Sequence, residues 1–223
     1  MNRFCTAFAS SVAIDLLLLT TSLQAEDTSL PTLTPEAHST IEQGLSEFRD
    51  NKFDEAEKTF QKVTEMAPNH PMGWINLGSV EYRLGKLDEA EKSLRRALHL
   101  DPEVAQTWLT LGIVTYSKNE PEAALAALSE AVYLDSNNPR AHMYLGVLMR
   151  KRGWLDAAED ELRKAVELDP TYPEAQFNLA MIYTERTPPA LELARRHYYR
   201  ALALGAAADP DLEKLLKRSA QKK

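Results

Sequence analysis

The sequence is poor in cysteine, glycine and basic charge. A single cysteine, Cys5, stands in 223 residues, so neither an intrachain disulfide nor a cysteine metal cluster can form. The eight glycines build no phosphate-cradling loop of the Walker or dinucleotide type. Lysine and arginine number 26 against 33 acidic residues, a net charge of −7, which argues against a protein that grips nucleic-acid backbones with a basic face. The five histidines, His38, His70, His99, His142 and His197, form no HxxH, HxxxH or HExxH pair. Acidic pairs such as Asp88-Glu89 and Asp160-Glu161 fall at helix starts or on an outer helix face, where solvated surface explains them. His142 is expected to be packed and His197 exposed. No catalytic residue, metal ligand, cofactor or small-molecule substrate is therefore expected, and the chain reads as non-enzymatic.

What the sequence does hold is 44% hydrophobic and 26% charged residues, the balance of a globular protein. Residues 1–25 have a basic start (Arg3), an apolar stretch from Phe4 to Leu19 and a polar end at Ala25. That is the order of a secretory signal peptide. Asp15 interrupts the apolar stretch, which is shorter than the ~20 residues a spanning helix needs. The expectation is export to the periplasm or outside the cell after cleavage, which would remove Cys5. The alternative is an uncleaved membrane anchor. Residues 26–34 read as a flexible lead-in, with Thr34-Pro35 as a helix cap followed by proline at the first helical position.

A period of 34 governs the rest. Gly44, Gly78, Gly112 and Gly146 are each 34 apart, as are Ala56, Ala90, Ala124 and Ala158. Pro68, Pro102 and Pro170 share the lattice, with Ser136 in the vacant place. A fifth unit begins at Pro173, with Ala180 in the glycine position and a two-residue insertion near Thr187-Pro188-Pro189. Units of about 37–70, 71–104, 105–138, 139–172 and 173–206 make a domain over 35–206. Residues 207–223 form a capping helix and tail.

Each unit reads as two helices. Pro71 opens helix A of the second unit, with Trp74, Ile75, Leu77, Val80, Tyr82 and Leu84 as its apolar residues. Gly85 ends it, at a position occupied in the other units by Asn51, Asn119 and Gly153, all residue types that tolerate positive φ. Ala90, Leu94, Ala97 and Leu98 then follow at helical spacing along helix B. Gly78 on one helix and Ala90 and Ala97 on the other let the two approach closely. At the C-terminal end, Asp209-Pro210 starts a last helix with Leu212, Leu215 and Leu216 on one side.

These motifs resemble the tetratricopeptide repeat (TPR). The residues that carry the likeness are Trp74-x2-Leu77-Gly78, Ala90-x3-Leu94 and Pro102, then Trp108-x2-Leu111-Gly112 with Ala124-x3-Leu128, and Leu145-Gly146 with Ala158-x3-Leu162 and Pro170. The family aromatic three residues after the glycine is replaced by Glu47, Glu81, Thr115 and Met149, and is present as Tyr183 in the fifth unit. The resemblance implies an all-α, right-handed superhelical solenoid of antiparallel helix pairs. It also implies a concave surface lined by the A helices.

Helix A carries a second apolar stripe, about 110° round from the one that faces helix B. It comprises Ile75, Ser79 and Tyr82, then Leu109, Ile113 and Tyr116, then Met143, Val147 and Arg150, and in the fifth unit Phe177, Met181 and Thr184. Two coverings are open: packing between repeats, or a ligand in a partly exposed groove. The groove reading adds Asn76 and Asn178 as holders of a peptide backbone and Arg83 as a cation at groove height. Family members that clamp a terminal carboxylate carry lysine and arginine where this chain has Ile41, Gln106 and Thr110. The expected function is a protein-interaction scaffold taking an apolar peptide or helix segment of a partner. The alternative is a self-associating structural component of an envelope or secretion assembly. A nucleic-acid partner is not expected, and a membrane only if the N-terminal segment stays uncleaved.

Overall fold

A computed structural model describes residues 31–220 of the chain. The leader and its cleavage site, read over residues 1–25, lie outside them. Among the described residues there are eleven α-helices and no strand. They fall into two compact units, one ending at Asp135 and the other beginning at Ser136.

The first unit holds three helix pairs: α1 (Pro35–Arg49) with α2 (Phe53–Met66), α3 (Pro71–Arg83) with α4 (Leu87–Leu100), and α5 (Ala105–Ser117) with α6 (Pro121–Leu134). The second holds α7 (Pro139–Lys151) with α8 (Leu155–Leu168), α9 (Pro173–Glu185) with α10 (Leu191–Ala203), and α11 (Pro210–Ala220) against α10. Consecutive helices within each unit pack on one another, and α3 also touches α5 as α7 touches α9.

The 34-residue lattice has a steric cause. A Cβ added at Gly78 would lie 2.7 Å from Leu94 Cγ, and one at Gly112 2.6 Å from Leu128 Cγ. Gly146 stands in the same relation to Leu162, and Gly44 to the Phe60 ring. Each pair is a glycine of helix A and a large residue 16 positions on in helix B. Only hydrogen fits in the gap. The turns between paired helices have a cause too. Asn51, Gly85, Asn119 and Gly153 take φ of 59°, 76°, 61° and 77°. The left-handed residue lets the next amide reach back to the helix in a Schellman closure, as in Lys86 N–H to Glu81 O at 2.9 Å and Glu120 N–H to Thr115 O at 2.9 Å.

Polar bonds recur on the same lattice. Glu57 of α2 receives Lys86 from the α3–α4 turn at 2.7 Å, and Glu91 of α4 receives Lys118 from the α5–α6 turn at 2.7 Å. In the second unit, Glu159 of α8 receives Arg186 from the end of α9. Each bond ties one helix pair to the next. Asp209 caps α11 through its side chain, and its backbone N–H donates to the Tyr198 hydroxyl at 2.9 Å, fixing the last helix to α10.

Candidate functional site

The second stripe of the A helices separates into two sets. Ile75, Leu109 and Ile113 are 2%, 1% and 1% exposed, and Met143 and Val147 are also buried. The expected open apolar groove is therefore not formed by these five residues. The reason is crowding: α3 meets α2, α4 and α5, and α5 meets α3, α4 and α6, which leaves little of either helix to solvent. Of the aliphatic, methionine and phenylalanine residues of the stripe, only Phe177 and Met181 stay half-exposed. Ser79 is buried and returns its hydroxyl to the Ile75 carbonyl at 2.9 Å.

The half-exposed set consists of Tyr82, Arg83 and Tyr116 in the first unit, and Arg150, Phe177 and Met181 in the second. Tyr82 leans on the cluster of Ala90, Leu94, Leu111, Val114 and Ala127. The Arg83 guanidinium stands 4.7 Å from the Phe53 ring centre and 5.7 Å from that of Phe48, a cation–π arrangement. Arg150 pairs with Glu185 at 2.6 Å. Phe177 lies against Tyr198 with ring centres 6.2 Å apart.

Asn76 differs from all of these. It is fully buried, and neither its Oδ1 nor its Nδ2 has a hydrogen-bond partner in the protein. Asn178 is its counterpart in the second unit but is half satisfied: Nδ2 donates to the Glu174 carbonyl at 2.8 Å while Oδ1 stays unpaired. A buried unpaired amide costs about 1–3 kcal/mol. The first unit carries this cost twice over at one side chain, on the A-helix face that the sequence assigns to a peptide backbone.

Other polar groups lie inside the array. Glu81 is buried, and burial pushes its carboxyl up to about 7; a Ser93 hydrogen bond opposes the shift, and Glu57 and Glu89 add to it. Glu47 bonds Thr59 at 2.6 Å in the corresponding place of the first repeat. His142 is buried, as expected, but its partner Glu161 is half-buried rather than solvated, with Nδ1 to Oε2 at 2.6 Å. His197 is not exposed. It is half-buried, stacks on Tyr183 at 5.5 Å and meets Gln176 Oε1 at 2.8 Å. Burial lowers its pKa, with Arg196 and Arg163 adding to the effect. The lattice itself is the missed signal, because Gln176 is 34 residues after His142 and His197 is Glu161 shifted by 34 plus the two-residue insertion.

No group of three or more His, Cys, Asp or Glu side chains suited to a metal ion occurs among the described residues, and no described helix is long and apolar enough to cross a membrane. A cavity of about 210 Å³ opens beside the α2–α3 turn, lined by Pro31, Thr34, Met66, Pro68 and His70 among others, away from the A-helix stripe.

Helix pairs on a 34-residue lattice, closed by glycine against leucine, define a tetratricopeptide-repeat protein. Such a protein is in general a scaffold for protein interaction. More particularly, the chain belongs to the family described as the cilia and flagella-associated protein 70 C-terminal domain, which it matches over residues 44–215. No curated protein matches the sequence. Solved structures share the fold at low identity. MamA (residues 41 to the end) from Desulfovibrio magneticus RS-1 is 20% identical with a TM-score of 0.67, over 78% of this chain and 97% of that one. PilF of Pseudomonas aeruginosa is 20% identical with a TM-score of 0.74, over 83% and 84%. YrrB, described as a TPR protein with an unusual peptide-binding site, is 22% identical with a TM-score of 0.63, over 84% and 92%.

Proposed function

We propose that the chain is a non-catalytic scaffold that holds an extended segment of a partner protein against the A-helix face of α3 and α5. The single observation that carries this reading is Asn76, whose two unpaired polar ends match the donor and acceptor of one peptide unit. Tyr82, six residues on in the same helix, and Tyr116 of α5 supply half-exposed amphipathic anchor surface, and Arg83 a half-exposed cation held over two rings. The sealed stripe of Ile75, Leu109 and Ile113 serves as the floor under the site rather than as its contact surface. Reaching Asn76 requires α3 and α5 to part slightly, so binding is accompanied by a small local opening. YrrB, which shares the fold, is described as having an unusual peptide-binding site, which supports a peptide ligand here. With the leader read in residues 1–25, the scaffold works outside the cytoplasm or tethered to its membrane.

The test is a random-peptide display library panned against the purified chain, followed by amide hydrogen exchange with the selected peptide. Added protection along α3 and α5 supports the reading. Protection confined to α2, α4 and α6, or a library that yields no binder, contradicts it.

A further inference from the structure

His142 has an acceptor at each ring nitrogen. Nδ1 lies 2.6 Å from Glu161 Oε2 and Nε2 lies 3.0 Å from the Ser136 carbonyl oxygen. A neutral imidazole owns one N–H and one lone pair. In that state, beside an ionised Glu161, one nitrogen must turn its lone pair toward another lone pair. The imidazolium satisfies both partners, so the cluster needs one proton more than the neutral ring and the carboxylate hold between them. In three other repeats the carbonyl at this place meets a donor that does not itself titrate. Trp74 donates to Pro68 O, Trp108 to Pro102 O and Gln176 to Pro170 O, each six residues back.

We propose that His142, Glu161 and the Ser136 carbonyl form a proton-operated lock on the α7/α8 pair, closed when the cluster holds its extra proton and loosened at the start of α7 when that proton leaves. The charged groups that face the ring are Glu161 and Lys164, both on α8, and the preceding turn contributes the Ser136 carbonyl. The Glu161 hydrogen bond raises the His142 pKa above its usual 6.5, with the Ser136 carbonyl acting in the same sense and burial and Lys164 against it. The sign follows. A histidine with a raised folded pKa contributes stability that is fully present below 6.5 and is lost as pH climbs through the folded value. The part released is the first turn of α7, where Asn138 Oδ1 accepts from the Arg140 and Ala141 amides at 3.1 and 3.2 Å. The lock is independent of what the scaffold binds.

Two measurements on the full chain test it. In ¹⁵N-histidine NMR, His142 should show both ring nitrogens protonated near about pH 6 and a midpoint above the free value. A neutral ring there, or a midpoint at or below the free value, overturns the proposal. In amide exchange corrected for intrinsic rates, protection at Arg140 and Ala141 should fall by about threefold or more across that midpoint. His142→Gln keeps a donor for Ser136, as Gln176 does for Pro170, and should abolish the pH dependence. The same loss of protection in that variant also overturns the lock.

Discussion

The indole Nε1–H of Trp108 donates to the carbonyl oxygen of Pro102, six residues back, at 2.7 Å. Trp74 does the same to Pro68 at 3.0 Å and Gln176 to Pro170 at 3.4 Å, while His142 Nε2 faces Ser136 O at 3.0 Å. The tryptophan position of the repeat is thus a donor position as much as an apolar one. It stitches the first turn of helix A to the turn just before it.

Replacing Trp108 with phenylalanine keeps an aromatic ring and removes the donor. Because the bond is exposed, water can take over the Pro102 carbonyl. The expected cost is about 0.5–1.5 kcal/mol, read as a lower urea midpoint with an unchanged slope. An unchanged midpoint would show that the bond contributes nothing to stability.

Gly112→Ala should be costlier, although alanine is the better helix former by about 1 kcal/mol. Its Cβ would meet Leu128 Cγ at 2.6 Å and the Leu128 backbone nitrogen at 3.3 Å, and neither is the free end of a side chain. Overpacking of about 1–3 kcal/mol should outweigh the propensity gain. A thermal midpoint higher than that of the unaltered chain contradicts the close-approach account.

How far these features could be read in advance differs between fold and site. Gly78, Ala90 and Gly85 are legible because each answers to one neighbour within its own helix pair, and a fixed spacing reveals it. Ile75 and Leu109 are ambiguous for the opposite reason. Their neighbours lie on other helix pairs, and amphipathic periodicity gives the angle of a side chain but not what covers it. Glu161 reads as an ordinary solvated acid because acidity alone suggests solvent, whereas Glu81 shares its lattice position with Glu47 and is legible as a replaced aromatic. Comparing polar residues at 34-residue steps also sets Gln176 beside His142.

Glu81 predicts a pH effect within the first unit. Its folded pKa of about 7 lies above the usual 4.5, so the folded state holds its proton more tightly. Stability should therefore decline as pH rises from 4.5 to about 7 and level off beyond, by roughly 3 kcal/mol in all. Glu81→Gln mimics the protonated acid and should flatten that part of the profile. A variant that keeps the decline assigns it to another group.

Lys118 joins three carboxylates, with Asp88 and Glu91 at 2.7 Å and Glu120 at 3.3 Å. Together they hold its pKa above the usual lysine value, with the Asp88 and Glu91 hydrogen bonds as the main causes. Lys118→Met should lower the melting midpoint at low ionic strength, and the difference from the unaltered chain should shrink as salt screens the cluster. A salt-independent difference would point to packing instead.

The central claim is that Asn76 is kept for a partner and not for the fold. Asn76→Leu keeps the same number and branching of side-chain heavy atoms and removes two unpaired polar atoms, so it should raise unfolding free energy by about 1 kcal/mol. The same variant should lose at least about tenfold in affinity for a library-selected peptide, the equivalent of about 1.4 kcal/mol. Measuring both on one protein sample is the most direct test. Gained stability with lost binding is the predicted pair; lowered stability, or binding that survives unchanged, contradicts the account.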